Sequence, residues 1–239
     1  MRVRCGLLLV AWRLLVLIGL IGLVELHGVR AQGLPVRGSV SVTNKGISFI
    51  PSFTLGRPAV VFNGAVGGRL RFEPELRFAL EDGKPWSFLF WWRYDLRSDA
   101  KWYLRVGAHP ALSFTTRTVG GEELIVARRF LAGEAVARYR LTPLFAAGVY
   151  YLYSHGLEPS VPTHTHFVSL QPALTVSFRP GWVLGFHPQV YYLRLDECQG
   201  FYTATRLTLS LPRAPFSLSV LVNKILHTRI SGEDWLWNV

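Results

Sequence analysis

Cysteine is scarce in this 239-residue chain: only Cys5 and Cys198 occur, and they lie at opposite ends of the sequence. Removal of an N-terminal export segment would leave Cys198 alone, and one thiol cannot form an internal disulfide. No neighbouring residue suggests that Cys198 is a nucleophile. We therefore expect no disulfide framework and a bystander thiol in a surface loop.

The sequence also lacks a helical period, linkers and low-complexity tracts after residue 31, which favours one all-β domain. Its cleanest apolar run, residues 14–24, lies at the N-terminus and follows Arg2, Arg4 and Arg13. A membrane-spanning helix needs about 20 apolar residues, and Arg13 interrupts this stretch.

Val29-Arg30-Ala31 resembles a signal-peptidase site. We therefore predict that residues 1–31 are a secretory signal peptide, with a retained membrane helix as the alternative.

Clustered positive charge is absent as well. Without residues 1–31 the chain has 22 Lys and Arg against 14 Asp and Glu, a net charge of +8. Nucleic-acid-binding proteins concentrate such charge on one surface, whereas here it is scattered along the segments and turns. The pattern argues against nucleic acid as a partner. It favours arginines that face a lumen or the phosphates of lipopolysaccharide.

Alternation with a period of two is the most informative pattern that is present. From Leu70 to Leu80 every second residue is apolar and the residues between them are mostly charged, and the alternation resumes over residues 86–96. A strand of this kind has one apolar and one ionic face. Lipid accepts the first face and a closed lumen accepts the second, which predicts an outer-membrane β-barrel.

Segments of alternating polarity continue along the chain and predict about 12 strands. They are residues 46–55, 59–66, 69–81, 86–96, 102–114, 121–141, 144–155, 164–178, 182–195, 201–211 and 215–228, with a stub from 235. The fold class is thus an antiparallel transmembrane β-barrel at 46–239, after a periplasmic lead-in at 32–45. The short last segment indicates either an incomplete closing strand or a C-terminal truncation.

The connections from the fourth segment onward alternate in length, as expected for short periplasmic turns and long external loops. The predicted tight turns are 97–101, 142–143, 179–181 and 212–214, and the predicted longer loops are 115–120, 156–163, 196–200 and 229–234.

Prolines recur within the predicted strands, at Pro51, Pro74, Pro110, Pro172 and Pro188. Proline cannot donate to a β-ladder and is normally found on edges or at bulges. We therefore expect bulges at these sites.

Thirteen charged or polar residues share the parity that is predicted to face the lumen. They are Arg71, Glu73, Glu75, Arg77, Arg93, Asp95, Arg105, His109, Glu134, Arg138, Arg140, His187 and Gln189. We predict a narrow porin-like channel for small, preferentially anionic solutes. The alternative is an ion-pair network that fills the lumen, which would make a structural or ligand-binding barrel without conduction.

A lipid-modifying enzyme is the less favoured hypothesis. Ser154-His155 and His164-Thr-His166 are the only candidates for a serine–histidine pair, and adjacent residues of a strand point to opposite faces. His155, His164 and His166 could also converge on a metal, but no acidic or cysteine partner accompanies them. We therefore predict no enzyme, no metal and no cofactor.

Three stretches, residues 46–56, 84–94 and 150–156, resemble a group of outer-membrane barrel proteins of Gram-negative bacteria. The resemblance spans most of the chain after residue 31 and implies no activity, because that group has no established one. It implies export to the outer membrane, with lipid, lipopolysaccharide and the barrel-assembly machinery as partners. Val239 departs from the terminal aromatic residue that is typical of such barrels.

Overall fold

The computed structural model describes residues 33–178, 181–211 and 214–239, so the predicted signal peptide lies outside the described residues. Residues 37–239 form one compact unit. The strands are β1 Val36–Thr43, β2 Ala59–Gly67, β3 Leu70–Ala79, β4 Pro85–Ser98, β5 Trp102–Val119, β6 Glu122–Arg140, β7 Phe145–Gly156, β8 His164–Phe178, β9 Trp182–Leu195, β10 Cys198–Ser210, β11 Ser217–Thr228 and β12 Trp235–Asn238. In these described ranges, no helix is long and apolar enough to cross a membrane.

The twelve strands form a single sheet in chain order, curled into a nearly closed antiparallel barrel, as the sequence predicted. The two ends of the sheet meet at a short seam. There the backbone N–H of Asn44 donates to the carbonyl of Val239 at 3.2 Å. The N–H of Lys45 donates to Asn238 Oδ1 at 3.1 Å, and its ammonium pairs with Glu233 at 3.2 Å.

Connections alternate between the two ends of the barrel. We call the end with the β2–β3, β4–β5, β6–β7, β8–β9 and β10–β11 connections the first rim, and the opposite end the second rim. Two of the predicted long loops, both at the second rim, are tight turns instead. β5 and β6 stay paired up to Val119 and Glu122, around a Gly120-Gly121 turn with positive φ at both glycines. β9 and β10 pair up to Leu195 and Cys198, so the exposed Cys198 begins a strand.

The predicted alternation of faces is present along the wall. On β6, Ala132, Glu134 and Val136 are buried in the lumen, whereas the preceding residue Leu131, of the opposite parity, is 52% exposed on the exterior. Arg128 and Arg129 fit the same alternation, which runs through residues 126–136 of β6. Large apolar residues such as Leu70 and Leu170 are likewise exposed outside. The exterior therefore has the apolar character that lipid requires.

Residues 44–58, which we call the inner segment, differ most from the prediction. The sequence predicted the first strand at 46–55, but this stretch forms only one isolated bridge, between Ile47 and Thr54. β1 lies instead within the predicted lead-in. The inner segment turns at Ile50-Pro51-Ser52-Phe53, where the Phe53 N–H donates to the Ile50 carbonyl at 2.9 Å. Proline is favoured at the second position of such turns.

The inner segment satisfies much of its own backbone. The N–H of Ser48 donates to the Phe53 carbonyl at 2.8 Å, and the N–H of Leu55 donates to the Gly46 carbonyl at 2.9 Å. Ile50 and Ser48 are buried. Because buried backbone groups need partners, this self-pairing allows a non-strand segment to pack among the lumenal side chains.

The strand prolines interrupt ladders without adding residues, so the predicted bulges at these sites are wrong. β8 and β9 pair from Leu170 to Val190 and again from Leu174 to Phe186, in the same register. Pro172 and Pro188 lie opposite each other in the gap. Pro74 lies in a similar gap of the β2–β3 ladder, and Pro110 lies in one of the β4–β5 ladder. Each of these two prolines is paired in register with the strand on its other side. The fifth, Pro51, lies in the inner segment.

Candidate functional site

The ionic part of the lumen is a chain of shared carboxylates. Arg71 donates to Glu73 at 2.8 Å, and Glu73 is also paired with Arg93. Arg93 and Arg105 both contact Glu134 Oε1, each at 2.9 Å. Glu134 is fully enclosed and also accepts a hydrogen bond from the Tyr150 hydroxyl at 2.7 Å. Such sharing holds several charges in a confined space, because each carboxylate has partners for both oxygens.

This network carries no net charge. Asp95 pairs with Arg71 and accepts a bond from the Tyr103 hydroxyl at 2.9 Å, which matches three arginines with three carboxylates. Arg77 pairs separately with Glu75. Arg77 also donates to Ser48 of the inner segment at 2.9 Å and lies over the ring of Trp86 at 5.1 Å. These four arginines therefore do not form the free positive ring that an anion-selective constriction requires.

Aromatic side chains fill the lumen beside the ion pairs. Trp91, Phe167, Tyr191 and Tyr202 are each about 1% exposed. Phe49 of the inner segment packs against Trp91 and Tyr150, with ring centroids 6.3 and 6.5 Å apart. The inner segment and the wall thus share one core.

A cavity of about 600 Å³ lies on the first-rim side of Phe49. Four arginines line it, Arg93, Arg105, Arg138 and Arg140, against the two carboxylates of Glu75 and Asp99. Arg93 and Arg105 belong to the neutral network, so Arg138 and Arg140 supply the excess positive charge. We call this space the first-rim cavity.

A second cavity of about 340 Å³ lies on the other side of Phe49. Its lining is mainly apolar and comes from the inner segment and from strands β3 to β9, with Ser87, Ser113, Ser154 and Thr165 as hydroxyl groups and His109 near Trp91. We call it the second-rim cavity. The loop at 157–163 contributes Pro162 to it.

Two carboxylates hold that loop in place. Asp196 accepts the backbone N–H groups of Thr163 and His164, at 3.0 and 2.7 Å, and these bonds lower its pKa. Glu158 accepts hydrogen bonds from the side-chain Nε and the backbone N–H of Arg129, at 2.6 and 2.7 Å, and these bonds lower the pKa of Glu158. Hydrogen bonds to the charged form stabilise the carboxylate. The loop is therefore anchored at both ends while these groups are ionised.

The three histidines considered as metal ligands lie on the exterior. His164 and His166 share the outward parity of β8, and their Nδ1 atoms bond the hydroxyls of Tyr153 and Tyr151 at 2.7 and 3.0 Å. His155 packs beside His164, with ring centroids 5.4 Å apart. No group of three metal-ligating side chains occurs within residues 33–178, 181–211 and 214–239.

Of the thirteen residues predicted for the lumen, eight are joined by the salt bridges described above. His109 packs on Trp91 with ring centroids 3.8 Å apart, and Gln189 accepts a bond from Ser169 at 3.0 Å. His187 lies opposite Arg206 in the β9–β10 register. Arg206 and Arg128 were not among the predicted lumenal residues, although each has the lumenal parity of its strand.

Comparisons with known proteins identify no family for this chain. No protein-family model matches the chain, and a search of curated proteins finds no match. Among solved structures the chain is similar to OmpTdeltaL8, a loop L8 deletion mutant of OmpT, an outer membrane protein of Vibrio cholerae. The two are 10% identical with a TM-score of 0.43, and the match covers 84% of this chain and 96% of that one. The fold is that of an outer-membrane β-barrel, and the resemblance to one particular group of such barrels stays a prediction.

The prediction that the chain is not an enzyme is corrected. It rested on the barrel architecture together with the lack of a recognisable triad, and neither observation excludes an activity. A fold hosts several activities, so it cannot exclude one of them.

Proposed function

We propose that the chain is a porin-like channel for small anions whose lumen is closed, in this conformation, by the inner segment. One observation carries the proposal: Phe49 is the single residue common to the linings of the two cavities. A change in the position of that ring would join a charged compartment at one rim to a compartment at the other.

Anion preference is supported by the first-rim cavity. Arg138 and Arg140 line it without the shared carboxylates that neutralise Arg93 and Arg105. Clefts lined by one sign of charge and walled by low-dielectric protein raise the local concentration of counter-ions. The selective charge is thus provided by β6 near the first rim, and Arg71 and Arg77 serve to hold the wall and the inner segment together.

We also propose that the protein is located in the outer membrane. Export by residues 1–31 would deliver it to the outer membrane, with the first rim on the periplasmic side, because the longest hairpin and the 157–163 loop lie at the second rim. Arg129 and Arg194 lie outside near that rim. They support lipopolysaccharide, in addition to lipid and the assembly machinery, as a partner.

The decisive experiment compares two truncations in the inner segment. In planar bilayers the wild-type barrel should show small or infrequent current steps, whereas Phe49→Ala should show larger, anion-preferring steps. Phe53→Ala is the matched control, because Phe53 lines only the second-rim cavity. If folded Phe49→Ala conducts no more than Phe53→Ala, the inner segment is not the closure. If neither variant conducts, the channel proposal fails and a ligand-binding barrel replaces it.

A further inference from the structure

The second-rim cavity has the properties of a binding site for a small apolar molecule. Its volume of about 340 Å³ falls within the range of ligand pockets, about 300–1,000 Å³, and such pockets combine an apolar lining with a few polar groups. Phe49, Phe53, Leu89, Phe130 and Leu152 supply much of the apolar surface. The proposed channel passes through this cavity, but the anion preference assigned to Arg138 and Arg140 does not depend on its apolar lining.

A cationic group lies next to the apolar lining along β6. Arg128 precedes Phe130 by two residues, so both side chains point into the lumen and are about 6.5–7 Å apart along the strand. Because β6 runs from the second rim inward, Arg128 lies on the rim side of Phe130. Its register partner Ser113 and its neighbour Phe130 both line the cavity, so Arg128 lies next to the lining on the second-rim side.

Arg128 and a neighbour have unused hydrogen-bonding capacity. Arg128 Nε and Thr115 Oγ1 are buried and have no hydrogen-bond partner among the described residues. Arg128 pairs with Ser113 in the β5–β6 register, which makes Thr115 a diagonal neighbour across the strands. Glu158, the acidic residue of the adjacent loop, is bonded to Arg129. Buried donors without partners carry a free-energy penalty that an anionic ligand would remove.

From this arrangement we infer that the second-rim cavity binds a single-chain anionic amphiphile, with its hydrocarbon chain between the inner segment and the wall and its carboxylate on Arg128 and Thr115. A carboxylate suits this position, since it accepts both the guanidinium N–H and the threonine hydroxyl. The loop at 157–163, which contributes Pro162 to the lining, closes part of the entrance.

Dodecanoate and dodecanol are suitable probes, because they share a chain and differ in the head group. Calorimetric titration of the barrel in zwitterionic lipid nanodiscs, with empty nanodiscs as background, should show saturable binding of both, tighter for dodecanoate. Arg128→Gln should weaken dodecanoate binding about tenfold, as expected for one charge-assisted hydrogen bond, and leave dodecanol unchanged. Arg229→Gln is the control, because Arg229 is exposed in the β11–β12 connection at the same rim and does not line the cavity, and it should change neither.

Ala132→Phe tests the position of the chain, since Ala132 is a buried wall residue of the cavity. It should abolish saturable binding of both probes, and Ala111→Phe gives the same test from β5 if the first variant does not fold. Folding is checked by the change in gel migration on boiling. Titrations that match empty nanodiscs overturn the inference, as does unchanged binding in the folded phenylalanine variants. Equal effects of Arg128→Gln and Arg229→Gln overturn the head-group assignment. None of these results depends on current through the barrel, so they are independent of the channel proposal.

Discussion

Gly107 of β5 lies opposite Glu134 of β6 and, on its other side, opposite Arg93 of β4. A Cβ atom on Gly107 would lie 3.1 Å from Glu134 Cγ and 3.0 Å from Arg93 Cγ. The salt bridge between Arg93 and Glu134 therefore passes across the intervening strand through the space that the missing side chain leaves free. The central network of the lumen depends on that glycine.

Substitution of Gly107 should accordingly disrupt the network. Gly107→Val would separate Arg93 from Glu134 and should lower the free energy of unfolding by about 3–5 kcal/mol, the cost of breaking a buried ion pair. Reversible urea unfolding in detergent micelles measures this loss of unfolding free energy. Gly133→Val is the control, because the nearest atom to its Cβ would be at an ordinary 3.7 Å. Equal losses for the two variants would show that the network does not use the space at Gly107.

The two faces of β8 should respond differently to charge. Leu170 is 55% exposed on the exterior near mid-strand, and Gln171 lines the first-rim cavity. Leu170→Arg should cost about 2–4 kcal/mol of unfolding free energy, as for lipid-facing arginine near the bilayer midplane. Gln171→Arg should cost much less. Refolding titrations in lipid vesicles give both values, and a reversed order would mean that the lipid-facing parity is wrong.

The anion preference of the current should depend on the charges of Arg138 and Arg140. In the Phe49→Ala background, changing both to Glu should move the reversal potential toward cation preference in a salt gradient. Arg129→Glu makes the same kind of charge change outside the lumen and should leave the reversal potential unchanged. The shift should fade near 1 M salt, where the Debye length is about 3 Å. A shift caused by Arg129→Glu alone would place the selective field outside the first-rim cavity.

The turn between β4 and β5 should be sensitive to acid. Asp99 accepts the backbone N–H groups of Trp102 and Lys101, at 2.8 and 2.9 Å, and also pairs with Arg97, which lowers its pKa to about 2. Because the pKa is lowered in the folded state, the stabilisation is complete above the unfolded value of about 3.9 and is lost as the pH falls through about 2.

Asp99→Asn removes that titration. The difference in unfolding midpoint between wild type and Asp99→Asn should be constant above pH 5 and shrink between pH 4 and 2. Denaturant titrations across this range provide the measurement. A difference that stays constant down to pH 2 would contradict the assignment to Asp99.

Export and insertion can be followed in cells. The complete chain, expressed in a Gram-negative host, should fractionate with the outer membrane, migrate differently on gels before and after boiling, and begin at Gln32 after processing. Recovery as a periplasmic species with no change on boiling would contradict membrane insertion.

The wall of the barrel was largely predictable from the sequence. Strand bounds at 164–178 and 182–195 were predicted to the residue, since strict alternation between a lipid face and a lumenal face leaves little freedom of register. The lumenal parity of Arg71, Arg93 and Glu134 follows from the same rule. Arg206 could have been found in this way too, because it continues the inward series of Tyr202 and Ala204 on β10.

What fills the lumen was not predictable by this rule. Residues 46–55 alternate like a wall strand, and periodicity does not say whether an apolar face meets lipid or another part of the same chain. The pairing of Arg93 with Glu134 across β5 was also hidden, because it requires both the register and the lack of a side chain at Gly107. The prediction of bulges at the prolines was wrong for a different reason. A ladder can lose its hydrogen bonds at a proline while the register on either side stays the same.

Where Pro172 faces Pro188, the β8–β9 ladder has no paired residues between Leu170 and Leu174. The ladders next to Pro74 and Pro110 have similar gaps, so three pairs of strands are paired at both ends and unpaired in the middle. Bending the wall along such a gap breaks no backbone hydrogen bond there. The wall is thus stiff where neighbouring strands are paired and flexible along these three gaps. Its cross-section can become more oval around the inner segment while every strand keeps its register.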